Sequence, residues 1–213
     1  MAKSLIKNLF STQIHCVELK KPMVTSKFIS EIKQECYKIK QADPLGQAWS
    51  KKNYTNGYTS YSSVQLGFDR LQMISPTFQI LEKSINMSVR NFIKQLDYDI
   101  SFSDLKMTQC WVNIMGENSI HASHAHPLSV FSGTFYVDVP TAASSIKFED
   151  PRSPLFMNSP AIKDQARLSN QRFIEIQPKS GYVILFESWL KHEVPINKSK
   201  KDRISISFNY GWN

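Results

Sequence analysis

The sequence predicts a mainly β (α+β) fold: a double-sheet jelly roll with N-terminal helices packed on one sheet. Three observations carry this. Up to about residue 100 apolar residues recur every three or four positions, the period of a helix. From about residue 107 onward short β-prone runs alternate with turn chemistry. No internal repeat or low-complexity tract divides the chain, and helices with one apolar stripe bury it best against a sheet. Residues 1–213 therefore read as one domain, with 1–100 (a strand, helices and a hairpin) covering the strand core of 101–213.

Taken in order, Phe28, Ile32, Cys36 and Ile39 mark a first helix, and Phe78, Leu81, Ile85, Val89, Phe92 and Leu96 a second. Ser75 stands as an N-cap before the second, with Pro76 at its first position, where a missing N–H costs nothing. Between the two, NYTNGYTSY places Asn56-Gly57 among β-prone residues, a hairpin signal. Strands are expected near 107–115, 119–126, 132–139, 144–149, 172–177, 182–187, 190–194 and 203–210. The stretch from Arg152 to Gln171 is long, polar and carries Pro154 and Pro160, which makes it a candidate loop for substrate contact.

Composition excludes several classes. With 41% apolar and 21% charged residues the chain reads as globular. No apolar run approaches the ~18 residues of a membrane span. MAKSLIKNLF lacks the continuous apolar stretch of a signal peptide, so a cytoplasmic protein is expected. Cys16, Cys36 and Cys110 are odd in number and far apart, which fits a reducing compartment and core or half-buried thiols. The net charge of +8 is spread over scattered lysines, and KSKKDR at 198–203 reads as a turn. A solvated surface is the expectation, not a nucleic-acid groove.

Chemistry concentrates in two places. HASHAH ends with His124 and His126, and residues i and i+2 of a strand share a face, so both imidazoles aim at one point. SWLKHEVP supplies His192, and Arg203 follows in RISISFN; a hairpin would set these two strands side by side. Three convergent histidines suit a catalytic transition metal with open positions, and a buried guanidinium offers a planar fork for a carboxylate. His121, three residues before His124, is expected to face the other way. Phe186 and Trp189 should be core or dry pocket wall, Arg152 a loop cap or a substrate contact, and Trp111 and Trp212 without chemistry.

HAHP (124–127), SGTFYV (132–137), FEDPR (148–152), SWLKHEVP (188–195) and RISISFN (203–209), in that order, resemble the Fe(II)/2-oxoglutarate-dependent oxygenases with a prolyl-hydroxylase-like double-stranded β-helix. NLFSTQIHCVEL resembles that family's opening strand. The resemblance implies an enzyme that couples oxidative decarboxylation of 2-oxoglutarate to succinate with oxidation of a substrate C–H bond, a hydroxylase using Fe(II), 2-oxoglutarate and O2. It places His124 and His192 at the metal and His126 where the superfamily usually has a carboxylate, either as third ligand or behind the metal. It puts Arg203, with Ser205 and Tyr136, on the far carboxylate of the co-substrate and Asn113 at its metal-proximal end. Asp138, near Pro140 at a strand end, is a rival for the missing carboxylate and is left off the metal list. The substrate, a small molecule or a protein side chain, is not legible, and a homodimer stays open. Two other readings remain: a three-histidine zinc hydrolase or hydratase, and a non-catalytic jelly-roll binding module.

Overall fold

The computed structural model describes residues 5–19 and 22–212, so part of the MAKSLIKNLF opening lies outside the described residues. The chain runs β1 (His15–Glu18), α1 (Ser26–Ala42), α2 (Pro44–Asn53), β2 (Gly57–Thr59), α3 (Pro76–Gln95), β3 (Leu105–Met115), β4 (His121–His124), β5 (Phe131–Asp138), β6 (Ile146–Glu149), β7 (Phe173–Ile176), β8 (Tyr182–Glu187), β9 (His192–Val194) and β10 (Arg203–Trp212). The helix starts follow from their caps. Thr25 Oγ1 accepts from the Phe28 amide at 3.1 Å, and Ser75 Oγ from the Phe78 amide at 3.3 Å with Pro76 leading α3.

Two antiparallel sheets face each other, a six-stranded one in the order β1-β8-β5-β10-β3-β2 and a four-stranded one in the order β4-β9-β6-β7. This is the double-stranded β-helix. The six-stranded sheet is buried on both sides, and its period-2 alternation separates two different surfaces. On β10, Ile204, Ile206 and Phe208 join the apolar cluster beneath the helices, with Val112 and Ile114 from β3 and Phe135 and Val137 from β5. Phe28, Ile32 and Cys36 of α1 and Phe78, Leu81, Ile85 and Val89 of α3 close that cluster from above. The intervening residues Arg203, Ser205 and Ser207 face the four-stranded sheet.

Four expectations need correction. No local hairpin forms at Asn56-Gly57: its first arm is the end of α2, a helix the apolar period did not reveal, and β2 pairs instead with Asn113–Met115 of β3. The turn itself is real, with Asn56 at φ 50°. Strands β9 and β10 do not pair; they lie in opposite sheets, so His192 and Arg203 meet across the sandwich. The third concerns Trp189, which is half exposed and outside the core. Strand β4 stops at His124, short of the predicted 126.

What holds α2 in place is Asp43, fully buried between α1 and α2. Its carboxylate accepts from the Gly46 amide at 2.8 Å, from Tyr58 Oη at 2.8 Å and from Ser63 Oγ at 2.7 Å. One side chain thus caps α2 and ties it to β2. Asp43→Ala leaves three buried donors without an acceptor, so a loss of about 3 kcal/mol or more is expected in urea unfolding; a loss under ~1 kcal/mol would show the network to be dispensable.

Candidate metal centre and anion pocket

Between the sheets lies a cavity whose two walls differ in chemistry. The four-stranded sheet presents imidazoles. His124 and His192 are cross-strand partners on β4 and β9, with ring centroids 4.3 Å apart. His126 lies two residues beyond the end of β4, and its amide donates to the Ser188 carbonyl at 2.9 Å. This bond pins the HAHP segment to the SWLKHEVP segment. The convergence of His124 and His126 therefore comes from the chain leaving the sheet, not from the pleat, and their rings meet edge to face at 5.0 Å.

One nitrogen from each of His124, His126 and His192 lies within 4.8 Å of the others, spacing suited to a shared ion. Two of the three have a fixed tautomer. His124 Nδ1 is 2.7 Å from the Ala122 carbonyl and His192 Nδ1 is 2.9 Å from the Leu190 carbonyl. A carbonyl only accepts, so Nδ1 carries the proton and Nε2 keeps its lone pair for a metal. Burial pushes the imidazoles down, His126 to about 3 and His192 to about 4, aided by their neighbours. His124 is lowered by burial too. All three are thus neutral and ready to ligate at neutral pH. Phe186 packs against His192 at 4.6 Å, giving the dry wall expected of it.

The six-stranded sheet supplies the opposite wall in registered rows. Arg203 pairs with Met115, Ser205 lies between Asn113 and Tyr136, and Ser207 between Trp111 and Thr134. Arg203 is only 2% exposed, and its guanidinium stands 5.0 Å from the centroid of the Tyr136 ring. It donates to the Ser144 carbonyl at 3.2 Å and to Ser205 Oγ at 3.4 Å. Among the described residues no carboxylate pairs with it. The Tyr136 hydroxyl and Asn113 Oδ1 are buried without a partner among the described residues. Burial raises the Tyr136 phenol to about 12 against the pull of Arg203, so it keeps its proton and can donate. The arrangement is a metal cradle facing a cationic pocket lined with unpaired polar atoms, which suits a ligand with an anionic end.

Some sequence expectations end differently. His121 faces the cavity, stacked on His124 at 4.4 Å and tilted 5.6 Å from Tyr54, because the register of β4 on β9 shifts between His121 and His124. A bulge adds a residue and breaks the odd-even rule. Asp138 is held by Lys33 of α1 at 2.5 Å and does not line the cavity, which removes it as a carboxylate ligand. Arg152 caps its own loop, bidentate on Asp150. The 152–171 loop lines none of the cavity; its Ser159–Lys163 segment, with Gln171 and Arg172, walls a separate open groove. Trp212 is exposed, as a residue without chemistry can be. Two aromatic side chains enter the cavity unforeseen. Trp111 lies 6.0 Å from His126 and 4.9 Å from Tyr61, and Tyr54 enters from the end of α2.

The motif serines and asparagine explain themselves as a lock. Ser132 Oγ shares a hydrogen bond with Ser188 Oγ at 2.7 Å and donates to Asn209 Oδ1 at 2.8 Å, while Asn209 Nδ2 donates to Gln109 Oε1 at 2.7 Å. Four distant segments are joined behind the three imidazoles.

No curated protein matches the sequence. Solved structures do match in fold. HygX from Streptomyces hygroscopicus, crystallised with nickel and 2-oxoglutarate, is 14% identical with a TM-score of 0.61, covering 95% of this chain and 84% of its own. The non-heme alpha ketoglutarate dependent epimerase SnoN from nogalamycin biosynthesis is 13% identical with a TM-score of 0.64, covering 94% and 76%. A Pseudomonas putida prolyl-4-hydroxylase is 10% identical with a TM-score of 0.59, covering 95% and 94%. Residues 109–209 match the family model described as "Putative 2OG-Fe(II) oxygenase", a span that holds all three clustered histidines and Arg203. Over residues 109–209 the chain is thus similar to the 2OG-Fe(II) oxygenase family.

Proposed function

We propose that the protein is an Fe(II)- and 2-oxoglutarate-dependent hydroxylase acting as one domain, with His124, His126 and His192 as the metal ligands. The observation that carries the reading is the pairing of two features on facing sheets: three imidazoles grouped within 4.8 Å and a buried guanidinium with no carboxylate partner among the described residues. A buried charge without a counter-ion is costly, and a dicarboxylate co-substrate that reaches both walls would relieve it. A zinc hydrolase would leave Arg203 and Tyr136 without a purpose.

Each residue then has a task. Nε2 of His124 and of His192, freed by their backbone hydrogen bonds, would hold the metal from β4 and β9. His126, in the place where related enzymes carry a carboxylate, would complete the set with a neutral donor. When bound, iron(II) with 2-oxoglutarate and O2 supplies the oxidation, which converts the co-substrate to succinate and carbon dioxide and inserts one oxygen atom into a substrate C–H bond. Arg203, steadied by Ser144 and Ser205, would anchor the far carboxylate, and Tyr136 would donate to it. Asn113, fixed to Ser207 through Nδ2 at 3.1 Å, would face the metal-proximal end. Phe186 and Trp111 exclude water from the metal side. The substrate is a small molecule or a protein side chain.

Three measurements test this. Anaerobic addition of Fe(II) and 2-oxoglutarate should produce a visible charge-transfer band, and admission of air should yield succinate; zinc hydrolase chemistry gives neither. Arg203→Ala should weaken 2-oxoglutarate binding by about 30-fold or more while metal affinity changes little. Equal loss of both would make the arginine a structural residue. The third concerns pH. The folded imidazoles are held below 6.5, so the folded chain refuses protons that the unfolded chain accepts. Metal affinity should therefore persist below pH 6.5 and fall only in more acid solution, while the melting temperature of the metal-free protein declines as pH drops below about 6.5. Affinity lost already around pH 6.5 would mean that the imidazoles titrate as exposed groups.

A further inference from the structure

We infer that Tyr54 is a co-substrate-binding residue, donating its phenolic hydrogen to the same carboxylate that Arg203 anchors, from a layer outside the 109–209 family segment. The inference rests on the reading proposed above and adds a residue to it.

Four observations converge on Tyr54. It is only 7% exposed and lines the cavity, yet its hydroxyl is buried without a partner among the described residues. Burial raises that phenol far above its ordinary range although the Arg203 charge opposes it, so the group is a protonated donor close enough to feel the guanidinium. Its ring packs with Met115 and Val194, and Met115 Sδ is 3.5 Å from Arg203 Nη1. The ring is also held from behind. A Cβ on Gly57 would stand 2.7 Å from two of its carbons, so glycine is needed there to let the backbone lie against the ring.

A stranded buried donor costs about as much as a lost hydrogen bond, which makes its position informative. Two such phenols, Tyr136 on β5 and Tyr54 at the end of α2, line the cavity that holds one guanidinium with no carboxylate partner among the described residues. A carboxylate has two oxygens and about four lone-pair directions, enough for the guanidinium and both hydroxyls. Tyr136 would grip it from the sheet and Tyr54 from the covering layer. Ligand binding would then fasten the α2–β2 turn to the β-helix, since the Tyr54 carbonyl accepts from the Gly57 amide at 3.0 Å and β2 pairs directly with β3.

The test is calorimetric binding of 2-oxoglutarate to the Ni(II)-loaded protein, without turnover. Tyr54→Phe removes only a hydroxyl that no group among the described residues uses, so the fold is retained. The expected result is affinity lowered about tenfold or more, with nickel binding unchanged. For 2-oxopentanoate, which has a methyl group in place of the far carboxylate, the variant and the parent should bind alike. Hydrogen exchange should show amides 54–60 protected on adding 2-oxoglutarate to the parent and much less in Tyr54→Phe. Gly57→Ala, which displaces the ring without altering its chemistry, should weaken 2-oxoglutarate in the same direction. Unchanged 2-oxoglutarate affinity in Tyr54→Phe overturns the inference and leaves the proposed function standing. An equal loss for both ligands also overturns it, by making Tyr54 a wall and not a donor. Failure of the parent to bind 2-oxoglutarate overturns both.

Discussion

Arg203 carries a full positive charge into the space between two sheets, and the surrounding architecture is arranged around that fact. A guanidinium cannot shed its proton to escape the cost of burial, so the protein must offer dipoles, ring faces or an anion. It offers the Ser144 carbonyl, the Ser205 hydroxyl and the face of Tyr136, all partial compensations. None of them is an anion. The imidazoles opposite are neutral and add no further charge, so the cavity keeps a net positive field while still presenting lone pairs to a cation. A ligand that is anionic at one end and metal-chelating at the other matches both walls together.

That arrangement depends on β10 more than on any other element. Its residues alternate strictly, with Ile204, Ile206 and Phe208 under the helices and Arg203, Ser205 and Ser207 in the cavity. A slip of one residue would exchange the two sets, burying a guanidinium against α1 and α3 and turning isoleucines toward the imidazoles. The pairing on both sides resists this. Eleven-residue β3 and eight-residue β5 flank β10, and the register is interrupted at Asn209/Tyr210 on one side and Ile204/Ser205 on the other. Asn209 also sits in the buried Ser132–Ser188–Gln109 chain, which fits only one register.

Much of this was legible in the sequence because the signals were local. RISISF shows its period of two, the α3 start shows its cap and proline, and HAHP with SWLKHEVP brings in all three imidazoles. The parts that were not legible depend on tertiary context. His121 turned inward because of a bulge that no residue type announces, and His126 converged by a loop bond to Ser188. His192 and Arg203 lie close in sequence and invite a hairpin, but the chain between them crosses from one sheet to the other. Tyr54 was hidden for a different reason. It sits in a stretch whose Asn-Gly pair reads as a hairpin, and only the fold shows that helix α2 ends there and delivers a phenol to the pocket.

The two halves of the chain therefore do more than share an apolar interface. The helices α1 and α3 cover one face of the large sheet, and this keeps β10 rigid while its other face carries polar atoms that a sheet normally turns to water. Unpaired polar groups can persist there because the apolar face supplies the cohesion; the same groups on a two-stranded ribbon would collapse onto water or onto each other. Asp43 then extends this rigidity to α2, holding Gly46, Tyr58 and Ser63 on one carboxylate and so fixing where the helix starts. The cavity wall is preorganised at a distance: stability is concentrated beneath the sheet, and the polar atoms it supports face the space between the sheets.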